Sequence, residues 1–154
     1  MIPEQPVNFS WISDTVAGLA FPSSNADLDY LVTIAGISNL ITLIEDIPSS
    51  LSNFPSLKHY HFPIPEFEPP SLDLLKRVVE IILKAEEKGE KCGVHCLHGR
   101  MRTATVLAAY LTQHEKIDGK TAVDRVCKMR PTSEISPERE KVVCEYSSLS
   151  VKKA

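Results

Sequence analysis

The residues with the clearest chemical potential form one short stretch, residues 94–103, which reads Val-His-Cys-Leu-His-Gly-Arg-Met-Arg-Thr. Cys96 and Arg102 stand six positions apart, at the two ends of a predicted loop between an apolar strand and a helix. Such a loop can turn its backbone N–H groups inward, and the N-terminus of the following helix favours a bound anion. The same field lowers the pKa of a cysteine. The stretch therefore predicts a phosphate-binding loop with Cys96 as nucleophile.

The other residues of the loop have predicted roles in phosphoryl transfer. Arg102 offers a planar guanidinium that can bind two phosphate oxygens at once, which lysine cannot do. Gly99 allows a close backbone approach, and the Thr103 hydroxyl can donate to the Cys96 sulfur and make it a better leaving group. His95, at the end of the strand, is expected to orient the loop through hydrogen bonds. We expect the phosphate to be bound by the loop residues Leu97, His98, Gly99, Arg100, Met101 and Arg102.

The order His95, Cys96, five residues, Arg102 and Thr103 resembles the signature of the cysteine-dependent protein tyrosine phosphatases. Further segments occur in the order and spacing of the small atypical dual-specificity phosphatases. These segments are Asn8-Phe9-Ser10-Trp11, Ala17-Gly18-Leu19-Ala20, Ile64-Pro65-Glu66-Phe67, Arg130-Pro131 and Glu140-Lys141. The resemblance covers nearly the whole chain. It implies a two-step reaction through a cysteinyl-phosphate, inhibition by phosphate-like oxyanions, and neither a metal nor an organic cofactor.

The resemblance also implies a general acid in the proline-rich stretch 63–70, which contains Glu66 and Glu68. The family usually carries an aspartate at the place of Glu66, so this chain has the same chemistry on a side chain one methylene longer. We expect Glu66 to protonate the leaving oxygen, provided that the loop backbone lies correspondingly further from the phosphate. The other interpretation is that both glutamates are solvated, and Glu68 is the second candidate acid.

Three further positions affect this interpretation. Ala104 stands where the family commonly has glycine, and Arg139 stands about where related enzymes can carry a glutamine that positions the hydrolytic water. Neither difference removes an essential group. Arg100 adds a second cation inside the loop, which could bind a bulky anionic substrate or simply be solvated.

A zinc site is the competing interpretation of the central stretch, because Cys92, His95, Cys96 and His98 could supply four ligands. Alternation along a strand sends Cys92 and His95 to opposite faces, which argues against such a site, so we expect no metal. A cysteine beside a glycine turn can also be mere packing, but the matched set of residues rarely arises by chance. His98 and His114, taken singly, are expected to be surface or packing histidines.

Length and charge limit the classes of protein. The 154 residues, 43% of them hydrophobic, suffice for one domain with a sizeable core. We place that domain at residues 8–149, with flexible termini at 1–7 and 150–154. A net charge of −3 and a pI near 5.9 give no sign of a general nucleic-acid or membrane surface. No apolar run reaches the roughly 18 residues of a membrane span, and the N-terminus lacks the pattern of a signal peptide.

The cysteines fit a reducing compartment better than a disulfide framework. They are Cys92, Cys96, Cys127 and Cys144. Cys92 and Cys96 lie on one predicted strand, which separates their α-carbons by about 13 Å, beyond disulfide reach. We therefore expect a location in the cytoplasm, with the nucleus as a second location. We separately expect a monomer.

The apolar pattern predicts alternating strands and helices. The predicted strands are Thr15–Ala20, Asn39–Ile44, Leu57–Phe62 and Lys91–His95. The predicted helices run from a cap at Asn25 to near Gly36, from Ser71 to a stop at Gly89, and near Thr103–Lys116, Gly119–Met129 and Pro137–Ser148. This order predicts an α/β fold, with a central, mostly parallel sheet, helices on both faces and the site at the carboxyl end of a strand. It is also the fold that the phosphatase resemblance implies.

The leading functional hypothesis is a dual-specificity protein phosphatase, with proteins phosphorylated on tyrosine and on serine or threonine as its partners. The alternative is a phosphatase for a non-protein substrate. His98 before Gly99 resembles the loops of RNA 5′-triphosphatases, and the extra charge in the loop resembles phosphoinositide phosphatases. A third hypothesis is a phosphate-binding module whose weakened acid leaves recognition without turnover. We expect no nucleic-acid partner, except an RNA 5′ end under the alternative, and no membrane partner.

Overall fold

The computed structural model describes residues 4–152, which fold around a five-stranded sheet. In chain order the strands are β1 (Ser10–Trp11), β2 (Val16–Leu19), β3 (Asn39–Thr42), β4 (Lys58–His61) and β5 (Cys92–His95). Their order across the sheet is β1-β2-β5-β3-β4. β1 runs antiparallel to β2, and the other three neighbouring pairs are parallel. The prediction of a mostly parallel central sheet is therefore confirmed.

Helices cover both faces of the sheet, as predicted. They are α1 (Asn25–Asp29), α2 (Leu72–Glu87), α3 (Arg102–His114), α4 (Gly119–Met129) and α5 (Pro137–Lys152). A π-helical segment, Tyr30–Ile34, follows α1 directly, and a 3₁₀ turn covers Ser49–Asn53. Helices α2 to α5 pack together on one face, where α3 contacts the other three. The segment containing α1 covers the other face.

Side-chain alternation along the strands divides the apolar interior into two cores. One core lies between the sheet and helices α2 to α5, and it includes Val16, Ile41 and Val94. The other lies under α1 and includes Leu19 and Leu40. Because β5 is the middle strand and is buried along its whole length, the loop that follows it starts from a fixed point.

Helix α3 is the central helix of its layer. Every residue from Arg102 to Thr112 is buried. A helix that is buried around its whole circumference cannot shift without disturbing all its neighbours. The residues at its N-terminus are therefore held in a fixed position relative to β5.

Helix α2 begins and ends as the sequence predicts. The Ser71 hydroxyl accepts a hydrogen bond from the Leu74 N–H at 3.1 Å, which is the usual N-cap contact. Gly89, with a φ of 75°, follows the last turn. The apolar residues at helical spacing are fully buried, namely Leu75, Val78, Val79 and Ile82.

The predicted start of the first helix was wrong by one residue. The N-cap is Ser24, whose hydroxyl accepts from the Asp27 N–H at 3.1 Å. The Asp27 carboxylate accepts in turn from the Ser24 N–H at 3.4 Å, which completes a capping box. The Asn25 side chain instead accepts a hydrogen bond from Asn53. The serine hydroxyl one position earlier therefore takes the capping role.

The predicted flexible termini, 1–7 and 150–154, lie partly outside the described residues. Within the described part, the Ala20 N–H donates to the Val7 carbonyl at 2.9 Å, and α5 continues to Lys152. The flexibility of the ends and the domain bounds 8–149 stay predictions. No helix between residues 4 and 152 combines the length and the apolar character that crossing a bilayer requires.

Candidate active site

The candidate site lies in the loop between β5 and α3, at the carboxyl edge of the sheet. β5 ends at His95, and α3 begins at Arg102 with Met101 as its N-cap. Met101 makes no side-chain hydrogen bond to the helix. The N–H groups of the first helical turn therefore remain available to an anion, which the helix dipole also favours.

Gly99 is required in this loop for two reasons. Its φ is 74°, in the left-handed region that other residues rarely adopt. A β-carbon built on it would also lie 2.8 Å from the carbonyl carbon and oxygen of Leu19. The loop consequently passes so close to the end of β2 that only a glycine fits.

The Cys96 side chain is almost completely buried, with an exposed fraction of 2%. Burial by itself would raise the pKa of this thiol, but donors around the sulfur outweigh it. The Thr103 hydroxyl, the N–H groups of Thr103 and Gly99, and the charge of Arg102 together lower the pKa of Cys96 below its ordinary value. The Gly99 N–H donates to Sγ at 3.2 Å. The site thus favours a buried thiolate.

Thr103 lies directly behind the sulfur, fully buried on the first turn of α3. Its hydroxyl contributes to lowering the pKa of Cys96, yet it makes no hydrogen bond of ordinary geometry in residues 4–152. The hydroxyl is a nearby donor that a thiolate can attract, and it is not hydrogen-bonded to the sulfur in the structure.

Arg102 joins the phosphate-binding loop to the proline-rich loop. Its side chain is 7% exposed, and Nη1 donates to the Ile64 carbonyl at 3.1 Å. Its Nε is buried and has no hydrogen-bond partner within the described chain. A buried donor without a partner is costly, and phosphate oxygens would supply the missing acceptor.

A small pocket of about 90 Å³ opens above these residues. Its lining residues are Glu66, Cys96, His98, Arg100, Met101, Arg102 and Glu134. The structure thus brings together the predicted nucleophile, the predicted arginine, the predicted acid and part of the predicted phosphate-binding set. Leu97 and Gly99 belong to the same loop without lining the pocket. Glu134 is an addition that the sequence did not suggest, because it lies outside the segments that resemble the phosphatases.

Glu66 and Glu68 are separated by the structure. Both are exposed, but Glu66 lines the pocket and Glu68 is not among the lining residues. The Glu66 backbone is held by Arg139, whose Nη2 donates to its carbonyl at 2.7 Å. Arg139 is 7% exposed and is fixed by the Ser136 hydroxyl, to which Nη1 donates at 3.2 Å. Where related enzymes can carry a glutamine, this chain has a cation that anchors the proline-rich loop.

Arg130 is a buried cation behind the phosphate-binding loop, with an exposed fraction of 2%. Nη2 donates to the Gly99 carbonyl at 2.7 Å, and Nη1 donates to the Gly18 carbonyl at 3.0 Å and to the Ser10 hydroxyl at 2.6 Å. Burial lowers the pKa of Arg130, and the nearby Cys96 sulfur acts in the opposite direction. The guanidinium therefore fixes the loop and adds positive charge near the nucleophile.

Two segments near the N-terminus complete this support. Asn8 donates from Nδ2 to the carbonyls of His98 and Gly99, at 3.0 and 3.2 Å. Gly18 leaves room for the arginine, because a β-carbon there would lie 3.1 Å from Arg130 Cζ. Asn8 and Gly18 both lie in segments whose sequence resembles dual-specificity phosphatases. That resemblance gave no role to either residue.

His95 lies beneath the loop and is fully buried. Its Nδ1 lies 2.9 Å from the Cys96 carbonyl oxygen. Burial lowers the pKa of His95 to about 4, so the ring is neutral at physiological pH. A neutral ring that contacts the backbone is suited to orienting the loop.

The competing zinc interpretation finds no geometric support. Within residues 4–152, no three histidine, cysteine or acidic side chains lie close enough together to hold a metal ion. Cys92 faces the core under α2 to α5, and burial raises its pKa to about 12. All four cysteines are free thiols in the structure.

A stabilised thiolate, an anion-binding helix terminus and an arginine with a free donor define the site of a cysteine-dependent phosphatase. Residues 6–147 match the family described as PTP-SAK: Swiss Army Knife protein, DSP-PTPase phosphatase domain, and the chain belongs to this family.

Similar proteins include lipid and protein phosphatases. Phosphatidylglycerophosphate phosphatase PTPMT2 of Arabidopsis thaliana is 33% identical over 119 residues, which cover 74% of this chain and 52% of that protein. Dual specificity protein phosphatase 6 of Homo sapiens is 32% identical over 123 residues, covering 78% of this chain and 30% of that protein. The crystal structure of PTPMT1 in complex with PI(5)P superimposes with a TM-score of 0.85 at 26% identity, covering 95% of this chain and 99% of that chain. The chain spans about half the length of PTPMT2.

The first prediction concerns the charge state of Cys96. Because its pKa is lowered, the thiolate should persist to a lower pH than in free cysteine, and Thr103→Ala should move the midpoint of iodoacetamide alkylation to higher pH. Thr112→Ala is the matched control, since Thr112 is equally buried on α3 but donates to the Ala109 carbonyl. Cys96→Ser should reduce turnover by at least about 10⁴-fold. Equal alkylation midpoints in Thr103→Ala and the parent would contradict the role given to that hydroxyl.

The second prediction concerns the shape of the cation at Arg102. Arg102→Lys keeps the charge but loses both the contact with Ile64 and the planar donor pair, so turnover should fall by about 10²–10³-fold. Arg100→Lys, at an exposed position of the same loop, should cost far less. Steady-state kinetics with an aryl phosphate measure both variants. Similar losses at the two positions would show that the phosphate is not bound by Arg102.

Proposed function

We propose that the chain is a phosphatase that hydrolyses the phosphate monoester of a phospholipid headgroup. The observation that carries this choice of substrate is the rim of the pocket. Phe67 is 88% exposed and Leu97 is 44% exposed, and each adjoins a residue that lines the pocket. Single exposed apolar side chains are common on protein surfaces, and these two matter because each adjoins a residue of the pocket. They suit a substrate whose phosphate is attached to an apolar body, and the likeness to PTPMT2 supports the same choice.

The proposed first step transfers the phosphoryl group to sulfur. The Cys96 thiolate attacks phosphorus, so that an S–P bond forms while the bond from phosphorus to the leaving oxygen breaks. Glu66 donates its proton to that oxygen, and the product leaves as an alcohol. Arg102 and the inward N–H groups of the loop stabilise the charge on the remaining phosphoryl oxygens.

The proposed second step releases phosphate. Water attacks phosphorus, the Glu66 carboxylate takes a proton from it, and the S–P bond breaks. The Thr103 hydroxyl stabilises the departing Cys96 thiolate. No metal or organic cofactor takes part in either step. Phosphate-like oxyanions should inhibit the enzyme because they fit the same donors.

An arginine and a histidine at the mouth of the pocket also bear on the choice of substrate. Arg100 and His98 are both exposed and both line the pocket. Neither is tied to a carboxylate by an ion pair within the described residues, so they are free to meet a second anionic group of the substrate. Glu134 shares the rim and would disfavour substrates with negative charge on its side.

The second candidate is the dual-specificity protein phosphatase, acting on phosphotyrosine and on phosphoserine or phosphothreonine. It is supported by the similarity to dual specificity protein phosphatase 6. The sequence motifs resemble most those of dual specificity protein phosphatase 23, but the relatives that were found do not confirm this finer likeness. The position of Glu66 in the pocket argues against a binding module without turnover.

A direct comparison of substrates tests the proposal. Phosphatidylglycerophosphate and PI(5)P in mixed micelles, a phosphotyrosine peptide, a phosphothreonine peptide and an RNA 5′-triphosphate are assayed together for phosphate release. Cys96→Ser serves as the blank. We expect the highest kcat/KM with a phospholipid. A higher kcat/KM with either peptide or with the RNA would reject the lipid proposal while leaving the phosphatase chemistry intact.

The third prediction tests the apolar rim. Phe67→Ala should lower the rate on a phospholipid in micelles by about tenfold, because it removes one large apolar contact. The rate on a soluble aryl phosphate should change little. Ile34→Ala is the control, since Ile34 is also exposed but lies near Lys91, at the opposite end of β5. If Phe67→Ala and Ile34→Ala lose the same amount of activity in the lipid assay, Phe67 does not contact the substrate.

The fourth prediction tests the general acid. Because Cys96 must be ionised and Glu66 protonated, the rate should be bell-shaped in pH. Glu66→Gln should flatten the basic limb and lower turnover of poor leaving groups by about 10²–10⁴-fold. An activated aryl phosphate should lose less. Glu66→Asp should also be slower, since the carboxyl group would fall short of the phosphate. Glu68→Gln is the control, and a collapse in that variant alone would make Glu68 the acid.

A further inference from the structure

A row of three polar side chains crosses the sheet directly beneath the phosphate-binding loop. His95 on β5, Thr42 on β3 and His59 on β4 all point to the face that α1 covers. The Thr42 hydroxyl lies 2.7 Å from His95 Nε2 and 2.7 Å from His59 Nε2. His95 Nδ1 lies 2.9 Å from the Cys96 carbonyl. A continuous chain of hydrogen bonds therefore runs from the edge strand to the backbone of Cys96.

The Cys96 carbonyl, at the inner end of the row of hydrogen bonds, fixes the direction in which each hydrogen bond is donated. A carbonyl oxygen can only accept, so His95 Nδ1 must carry the hydrogen. Because the ring is neutral, Nε2 is then an acceptor, and the Thr42 hydroxyl must donate to it. That hydroxyl has a single hydrogen, so it accepts from His59, whose Nε2 must be protonated.

The outer end is also held in place. His61 Nε2 lies 2.7 Å from the Ile44 carbonyl, which again can only accept. The rings of His59 and His61 stack with centroids 6.0 Å apart and an interplanar angle of 25°. The orientation of His59, and therefore that of the whole row, is set by ordinary backbone and ring contacts.

The row occupies positions where an apolar side chain would be the usual choice. Thr42 and His95 are both fully buried, and buried polar groups are tolerated only when every one has a partner. Each donor and acceptor assigned above is satisfied by the next member. An arrangement of this kind specifies one orientation of the ring rather than merely filling space.

We propose that Thr42 and His59 are positioning residues, which hold His95 in its Nδ1–H form and thereby hold the peptide between Cys96 and Leu97. That peptide is planar and trans, so turning the Cys96 carbonyl toward His95 turns the Leu97 N–H the opposite way. The N–H is then directed into the phosphate-binding loop. This inference rests on the proposed function only through the role of Cys96.

The test begins with the folded parent protein. Long-range ¹H–¹⁵N NMR of the histidine rings should show His95 protonated at Nδ1 and His59 protonated at Nε2. Thr42→Val preserves shape but removes the hydroxyl. We expect it to raise the alkylation midpoint of Cys96 by about one pH unit and to lower kcat about tenfold, the effect of losing one hydrogen bond. Thr42→Ser should restore both values.

The matched control is Thr112→Val, a buried threonine that donates to a helix carbonyl away from the loop. It should lower the melting temperature without moving the alkylation midpoint.

If His95 carries its proton on Nε2, the inference is wrong. It is also wrong if folded Thr42→Val keeps the parent's midpoint and kcat. If Thr42→Val does not fold, His59→Ala is the variant that tests the inference. A rise of the Cys96 alkylation midpoint, smaller than that expected for Thr42→Val, supports the proposed row, and no rise overturns the inference. Alkylation and tautomer are both measured without turnover, so a failure of the proposed function would not be mistaken for a failure of this inference.

Discussion

Stabilising a negative charge on the buried sulfur of Cys96 is the constraint on which the rest of the site depends. Burial disfavours the thiolate, so every element near it must supply a donor or a positive charge. The helix terminus, the Gly99 N–H and the Thr103 hydroxyl do this locally. Arg130 does it from behind, and its four hydrogen bonds go to neutral oxygens. Since no carboxylate within the described residues pairs with this arginine, a thiolate at Cys96 would be the charge that complements it.

A hydrogen bond from Arg102 couples the two loops of the site. Arg102 belongs to the phosphate-binding loop, yet one of its hydrogen bonds ends on Ile64, at the base of the loop that carries Glu66. Arg139 holds the same loop from α5. The position of the Glu66 backbone relative to the phosphate-binding loop is therefore set by two arginines. The longer side chain of this proposed acid is compatible with the proposal because its backbone is fixed independently.

The sequence predicted the elements whose signals are local. The strand, loop and helix around Cys96 follow from a contiguous motif, and the buried stripe of α2 follows from its periodicity. β1 could not be predicted, because two residues carry no alternation. The role of Arg130 could not be derived either, since its partners lie 31 to 122 positions away along the chain. Contacts of that range become visible only when the sheet brings β2, β5 and the end of α4 together.

The same distinction explains why the chemistry is easier to read than the substrate. The nucleophile and its donors are buried and geometrically constrained, so any chain that performs this reaction by this mechanism must repeat them. The motif therefore identifies the reaction. It says nothing about the group to which the phosphate is attached. Under the proposed function, selection falls to exposed residues in and beside the pocket: Arg100 and Glu134 line it, and Phe67 and Leu97 adjoin residues that do. Residues at such positions obey neither the periodicity of an element nor the packing of a core. The cation Arg100 and the carboxylate Glu134 share a location only because the fold brings both to the lining of one small pocket.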